Sequence, residues 1–366
     1  MSRRGLNLAK PPTIVDVAQL AGVSKSSVSN VIRNASCVTP EMRARVVEAV
    51  TTLGYRPNVL ARQLVQQRTT ILGAVVGDLA NPFHAEMAKQ VERYASDRGY
   101  RVMFVNIQTD KAEPPGLESL LEYRVAGVVF LAHAGMPDRT RQLIAGRIPA
   151  VFVTCSADWG DVVCGNDLQG AKDATRHLVE LGHKRIAYFA DPIVEDDADR
   201  ARRTGYRAVM TEAGLQSMVF HWRRSPPGLV LGNREVTAAE VFLGPRRVTA
   251  IFSSNDLGAI ELLDCADKLG IRVPQDLSIV GFDDIVLAKL ARINLTTVAQ
   301  PQEKLAELAI DTLTRRIAGD LRVGSLRRTV GVELVLRGST APPSRSGRLR
   351  EQVATRPWNN PATRVP

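Results

Sequence analysis

From Ile71 onward, short apolar runs alternate with amphipathic stretches, and this alternation limits the possible folds more than any other feature of the chain. ILGAVVGD, RVMFVNIQ, GVVFLAH, AVFVTC, RIAYFAD, AIFSSND and LSIVGFDD each read as a buried strand that ends at a turn. Stretches such as NPFHAEMAKQVERYASDRGY and DLQGAKDATRHLVELG read as the helices between them. Strands separated by helices pair in parallel and are covered on both faces, which predicts doubly wound parallel sheets. This region, roughly 270 residues long, is too large for one compact α/β unit, so two lobes are expected. Ligands of such sheets lie beyond the C-terminal ends of the strands. Four of those ends carry polar residues: Asp78, Thr154, the pair Asn255-Asp256, and Asp283.

The residues before Thr70 follow a different pattern. Thr13 reads as an N-cap with Asp16 three positions on, Ile14, Val17, Ala18 and Ala21 share a face, and Gly22 stops the helix. Ser24 caps a second helix, VSKSSVSNVI, whose Val28, Val31 and Ile32 fall at helical spacing. Thr39-Pro40-Glu41 starts a third, with Val46, Val47, Val50 and Leu53 as its expected buried face and Gly54 at its end. Ala18, Gly22 and Val28 give the helix-turn-helix pattern: a small residue for close approach, a left-handed turn, and an anchor in the second helix.

Serine is a poor helix former, so four serines in and before the second helix need a reason. Charge supplies one. Residues 1–70 hold ten Lys and Arg against three acids, whereas the middle of the chain is close to neutral within a total of +10. A basic head on a neutral body points to a polyanion partner. In a helix-turn-helix the second helix enters the major groove, where short hydroxyls allow close approach to base edges and phosphates.

The run TIVDVAQLAGVSKSSVSNVI, the junction YRPN, then ARQL and Asn81-Pro82-Phe83 occur in an order and spacing that resemble the lactose-repressor (LacI/GalR) family of bacterial transcription regulators. The likeness runs from about Thr13 to about Thr340. It implies an N-terminal all-α helix-turn-helix head plus an α/β core of two doubly wound parallel-sheet lobes, similar to periplasmic binding proteins, joined by three crossovers with the ligand between them. The expected parts are a flexible start (1–12), the DNA-binding head (13–57), a hinge helix and linker (58–70) and an effector-binding, dimerising core (71–340). Within the core, one lobe takes about 71–170 and 301–328, and the other about 171–299 and 329–340.

The resemblance assigns roles residue by residue. Thr13, Ser24, Lys25, Ser26, Ser27, Ser29, Asn30 and Arg33 are the expected DNA contacts of the head, and Asn58, Ala61, Arg62 and Leu64 those of the hinge. The hinge would fold when two chains meet on operator DNA, with Leu64 wedged into the minor groove to kink the duplex. Arg202 matches the family's effector-contacting arginine, Asn255, Asp283 and Gln300 its other ligand contacts, and Phe83 an apolar wall. With Asp78 and Thr154 these residues suit a sugar or related polar metabolite: charged groups for hydroxyls and an aromatic for an apolar face. Asp256 and Asp284 are read instead as structural carboxylates at helix starts.

The chain also departs from the family's pattern. Gly165-Asn166 stands where many relatives have Asp-Asn, and IVEDDADRAR replaces a loop of small residues. Its Asp196, Asp197 and Asp199 either pair with nearby arginines or shape the ligand site. HWRRSPPGLV is unusually basic and Pro-rich. Position 30 is Asn where relatives often have Arg or His, which implies a different base preference.

The remaining features exclude more than they assign. The Pro- and Arg-rich residues 341–366 read as a disordered basic tail without a leucine heptad, so a homodimer on a palindromic operator is expected. Cys37, Cys155, Cys164 and Cys265 form no CxxC and read as reduced thiols; no metal or cofactor is expected. No apolar run spans a membrane, and MSRRGLNLAK lacks a secretory core, so the expected location is cytoplasmic. A transport solute-binding protein would share the core but not the basic head. An enzyme is disfavoured because no nucleophile elbow, P-loop or spaced pair of catalytic acids is present.

Overall fold

The structure is a computed structural model that describes residues 12–32, 35, 38–56, 69–107, 117–131, 141–142, 144–155, 157–190, 197–224, 227–231, 234–236, 238–244, 247–320 and 324–344. The chain separates into two compact units, Met1–Thr69 and Thr70–Pro366.

Among the described residues the first unit holds three helices, α1 (Ile14–Ala21), α2 (Lys25–Ile32) and α3 (Pro40–Leu53). Thr13 and Asp16 form a reciprocal capping box, and Gly22 closes α1 in the left-handed conformation at φ 65°. The Ser24 hydroxyl accepts from the Ser27 amide at 3.1 Å, capping α2. Val17, Ala18, Ala21, Val28, Val31, Val46 and Ala49 make the small core. One expectation fails. Val47 is 53 % exposed, and Ala49 occupies the buried position, because helical spacing places 46 and 49 on one face.

The second unit contains two sheets. The first has the order β13-β5-β4-β3-β1-β2, all parallel, from β1 (Ile71–Val76), β2 (Arg101–Asn106), β3 (Val128–Leu131), β4 (Ala150–Val153), β5 (Asp161–Gly165) and β13 (Arg327–Val330). Alternate residues of its strands pack to opposite faces. Val129, Leu131 and Val151 meet α4 (Pro82–Asp97) and α10 (Gln302–Ala318), while Val128, Phe130 and Phe152 meet α5 (Leu117–Glu122).

The second sheet has the order β14-β12-β11-β10-β6-β7-β8-β9. Its strands are β6 (Ile186–Ala190), β7 (Met218–Arg224), β8 (Pro227–Leu231), β9 (Arg234–Val236), β10 (Ala250–Ser253), β11 (Ser278–Asp283), β12 (Thr296–Ala299) and β14 (Glu333–Val335). On one side Ala250 and Phe252 pack with α6 (Asp167–Glu180) and α7 (Asp197–Glu212). On the other, Ile251 and Ile279 pack with α9 (Asp256–Lys268). A short helix α8 (Ala238–Leu243) precedes β10. This sheet is not wholly parallel. β14 runs antiparallel to β12, and the Pro-rich HWRRSPPGLV stretch contributes to antiparallel β7 and β8. A proline at the first residue of a strand is tolerated because it removes no inner ladder bond.

The chain passes between the sheets at three places: from β5 into α6 at Gly165-Asn166, from β12 into α10 at Gln300-Pro301, and from β13 into β14 at Gly331-Val332. Helix α6 packs on the second sheet, so the first crossing falls at 165 rather than 170; β13 remains in the first sheet, which puts the third at 331 rather than 328. In the first lobe, Asp161 is 2 % exposed and receives the Arg316 guanidinium through Nε (2.8 Å) and Nη2 (2.7 Å) and the Leu326 amide (2.7 Å). In the second, buried His183 joins Thr249, Ser278 and the Ala341 carbonyl, which fixes the last described segment to the lobe. No helix among the described residues is long and apolar enough to cross a membrane.

Candidate functional site

The strongest concentration of buried polar groups lies where the C-terminal ends of β10, β11 and β12 meet the start of α6. Arg202, on α7, is 7 % exposed and donates from Nε to Asp167 Oδ1 at 2.8 Å and from Nη1 to the Ser254 carbonyl at 2.6 Å. Its Nη2 lies 3.7 Å from Asp283 Oδ1, and its guanidinium covers the Phe282 ring at 3.8 Å. Gln300 Nε2 donates to Asp283 Oδ1 at 2.8 Å, while Gln300 Oε1 is buried without a hydrogen-bond partner among the described residues. Asp283 and Asp284 both have positive φ, 120° and 57°. Such backbone costs of order 1–3 kcal/mol per residue and persists only where surrounding contacts impose it. Arg202 and Gln300 hold the first carboxylate; Arg337 (2.5 Å) and Lys289 (3.3 Å) hold the second.

The structure therefore brings together Arg202, Asp283 and Gln300. The other expected effector contacts behave differently. Asn255 caps α9, its Oδ1 accepting from the Gly258 amide at 2.8 Å. Asp78 is exposed past β1, where its Oδ1 accepts from the Ala80 amide at 2.8 Å. Thr154 is buried past β4 at φ 59°, and its hydroxyl donates to the Val153 carbonyl at 2.7 Å. Phe83, 3 % exposed on α4, belongs to the apolar core. Asp256 is structural but does not cap its own helix. Its Oδ2 accepts from the Ile285 amide (2.9 Å) and its Oδ1 accepts from the Thr297 hydroxyl (2.5 Å). Burial, and then the nearby Asp283 charge, push the Asp256 carboxyl up to about 8. In α7, Asp197 pairs with Arg200 (2.7 Å) and Asp199 with Arg203 (3.6 Å), so these two acids are taken up by nearby arginines. Asp196 lies outside the described residues. Cys164 and Cys265 are free thiols, and Cys155 is buried.

In the head, Val28 and Val31 are buried while Ser24, Lys25 and Ser26 are exposed and Ser27, Ser29 and Asn30 half-buried. The Ser24 hydroxyl also meets those of Ser26 (2.7 Å) and Ser27 (2.8 Å), a chain of small donors and acceptors along the first turn. No acid lies in that turn. The Thr13 hydroxyl is engaged by Asp16, to which it donates at 2.7 Å. Arg33, Asn58, Ala61, Arg62 and Leu64 fall outside the described residues.

Residues 13–58 match the family described as bacterial regulatory proteins, lacI family, and residues 175–340 match the periplasmic binding protein-like domain. The ribose operon repressor of Escherichia coli (strain K12) is 36 % identical over 319 residues, covering 83 % of this chain and 93 % of its own length. The chain belongs to the LacI/GalR family. The transcriptional regulator DegA of Bacillus subtilis (strain 168) is 34 % identical over 341 residues, 90 % of this chain and 98 % of its own. A solved structure of the lac repressor dimer bound to operator and the anti-inducer ONPF superposes with a TM-score of 0.76 at 26 % identity, over 91 % of this chain and all of that one. As a LacI/GalR member the chain is a DNA-binding regulator of transcription with a helix-turn-helix head, and these relatives are regulators rather than enzymes.

Three groups in the polar cluster went unread in the sequence: Asp167, the Ser254 carbonyl and the Phe282 ring. Asp167 had a usable signal. VVCGND ends β5 as IFSSND ends β10, with an Asn N-cap and an Asp in the first helical turn.

Proposed function

We propose that this protein is a repressor whose affinity for a palindromic operator is switched by a small, polar, sugar-like effector bound between the two core lobes. The observation that carries this reading is the Asp167–Arg202–Asp283–Gln300 group, because two of its members border chain crossings. A ligand held there bears on the hinges between the lobes, as the position of Gln300 next to Pro301 illustrates. Closure of the lobes would alter how two chains pair through the core, and hence whether hinge residues 58–70 fold on DNA. The ribose operon repressor's name supports a sugar, and the operator-bound lac repressor dimer supports a dimer on two half-sites. The residues assigned to these tasks are those named from the sequence for the head, hinge and cleft, with Asp167 added. The protein is placed in the cytoplasm, where the operator is.

A thermal-shift screen over sugars and nucleosides, followed by operator titration with each hit, tests this function. A ligand at 100 times its Kd adds about 2.7 kcal/mol to stability. A hit that stabilises the protein but leaves operator binding unchanged removes the switching role.

Two head substitutions separate base reading from phosphate contact. Asn30→Ala alters base preference at one position per half-site, by about 1–3 kcal/mol. Arg62→Ala weakens all sequences alike and lowers the salt slope by about one. Binding titrations over half-site variants and salt concentrations read both effects, and an unchanged preference in the Asn30 variant counts against its role.

A further inference from the structure

We propose that the cleft selects a neutral, hydroxyl-bearing ligand and rejects anions, because Asp167 occupies the guanidinium that would otherwise hold one. The proposal rests on the reading of this group as the effector site and narrows its ligand class.

Arginine recognises carboxylates and phosphates through paired N–H donors on one edge. Arg202 is already engaged. Nε is held by Asp167, Nη1 by the Ser254 carbonyl, Nη2 faces Asp283, and one face of the guanidinium covers Phe282. Two carboxylates thus share the Arg202 cation, and each of these charged side chains is under a tenth exposed. The neighbouring cations Arg337 and Lys289 pair with Asp284, and Arg203 pairs with Asp199. The rise of the buried Asp256 carboxyl, to which the Asp283 charge contributes, agrees with a negative local field.

Such a group is rich in acceptors. Among the described residues Gln300 Oε1 is buried with no partner beside Gly165, where a Cβ would stand 3.0 Å from it. Two residues beyond Gly165, Asp167 lies against Arg202. Hydroxyl donors suit acceptors of this kind, whereas an incoming anion meets like charge at low dielectric.

Inorganic phosphate serves as the probe, with thermal shift and calorimetry on the full chain at constant ionic strength. Arg202→Gln in each background subtracts phosphate bound by the basic head. Wild type is expected to show no Arg202-dependent phosphate binding at millimolar concentration. Asp167→Asn is expected to gain it, at least about tenfold tighter than wild type, since the guanidinium is released from its counter-ion. In matched pairs, D-ribose against D-ribose 5-phosphate and D-glucose against D-glucose 6-phosphate, no phosphorylated member binds wild type through Arg202. Arg202-dependent binding of phosphate or a sugar phosphate by wild type overturns the proposal, and does so even where an Asp167 variant fails to fold. A folded Asp167→Asn protein that gains nothing also overturns it. The phosphate arms require neither operator nor effector, so their failure is distinct from failure of the regulatory function.

Discussion

Replacing Asp256 with Asn is expected to flatten the pH dependence of the core's stability between about pH 4 and pH 8 and to stabilise the protein at the upper end. The carboxyl is buried at the first turn of α9, and its pKa rises from the ordinary 3.8 to about 8. The folded state then keeps a proton that the unfolded chain releases. Its stabilising contribution is complete below the unfolded value and is lost as pH rises through the folded one, at up to about 1.4 kcal/mol per unit. Asn has the shape and hydrogen-bonding pattern of the protonated acid: the amide group can donate to the Thr297 hydroxyl, and the carbonyl can accept from the Ile285 amide. Denaturant unfolding at pH 5 and pH 8 checks this. Equal pH slopes in the two proteins would show that Asp256 is not held protonated.

Loss of the Asp161 carboxylate should be the most damaging single change in the first lobe. Asp161→Ala takes the buried carboxylate away from the Leu326 amide and from the Arg316 guanidinium, which keeps its bond to the Gly324 carbonyl, and the expected loss is about 3–5 kcal/mol. Asp161→Leu combined with Arg316→Met should cost less than Asp161→Ala alone, because no uncompensated charge remains. Equilibrium unfolding of the three proteins measures both effects. A loss below about 1 kcal/mol for Asp161→Ala would place the pair among weak surface bridges.

Period and punctuation made most of the fold legible. The apolar runs became β1 to β4, β6, β10 and β11, and Thr13, Gly22, Ser24, Thr39 and Gly54 bound the head helices as read. The antiparallel edges of the second sheet were not legible, since a strand's partner depends on where the chain returns. Val47 was misassigned because four apolar residues in α3 compete for a narrow face, and an alanine fills the tighter position.

The cleft was legible in part for a similar reason. Arg202, Asp283 and Gln300 converge, but residue type alone does not say whether a strand-end polar group faces a ligand or its own backbone. Asn255, Asp78 and Thr154 all bond locally. Asp167 was missed because its partner is 35 positions away on another helix, a contact that only packing creates.

In the proposed switch, ligand binding is coupled to operator binding. This coupling is tested most directly by titrating a sugar identified in the thermal-shift screen into the full-length protein, with and without saturating operator. Linkage requires the two sugar affinities to differ by the same factor by which the sugar changes operator affinity, typically about 5–150-fold. Unequal sugar affinities in that ratio are the expected result; equal affinities would contradict the account.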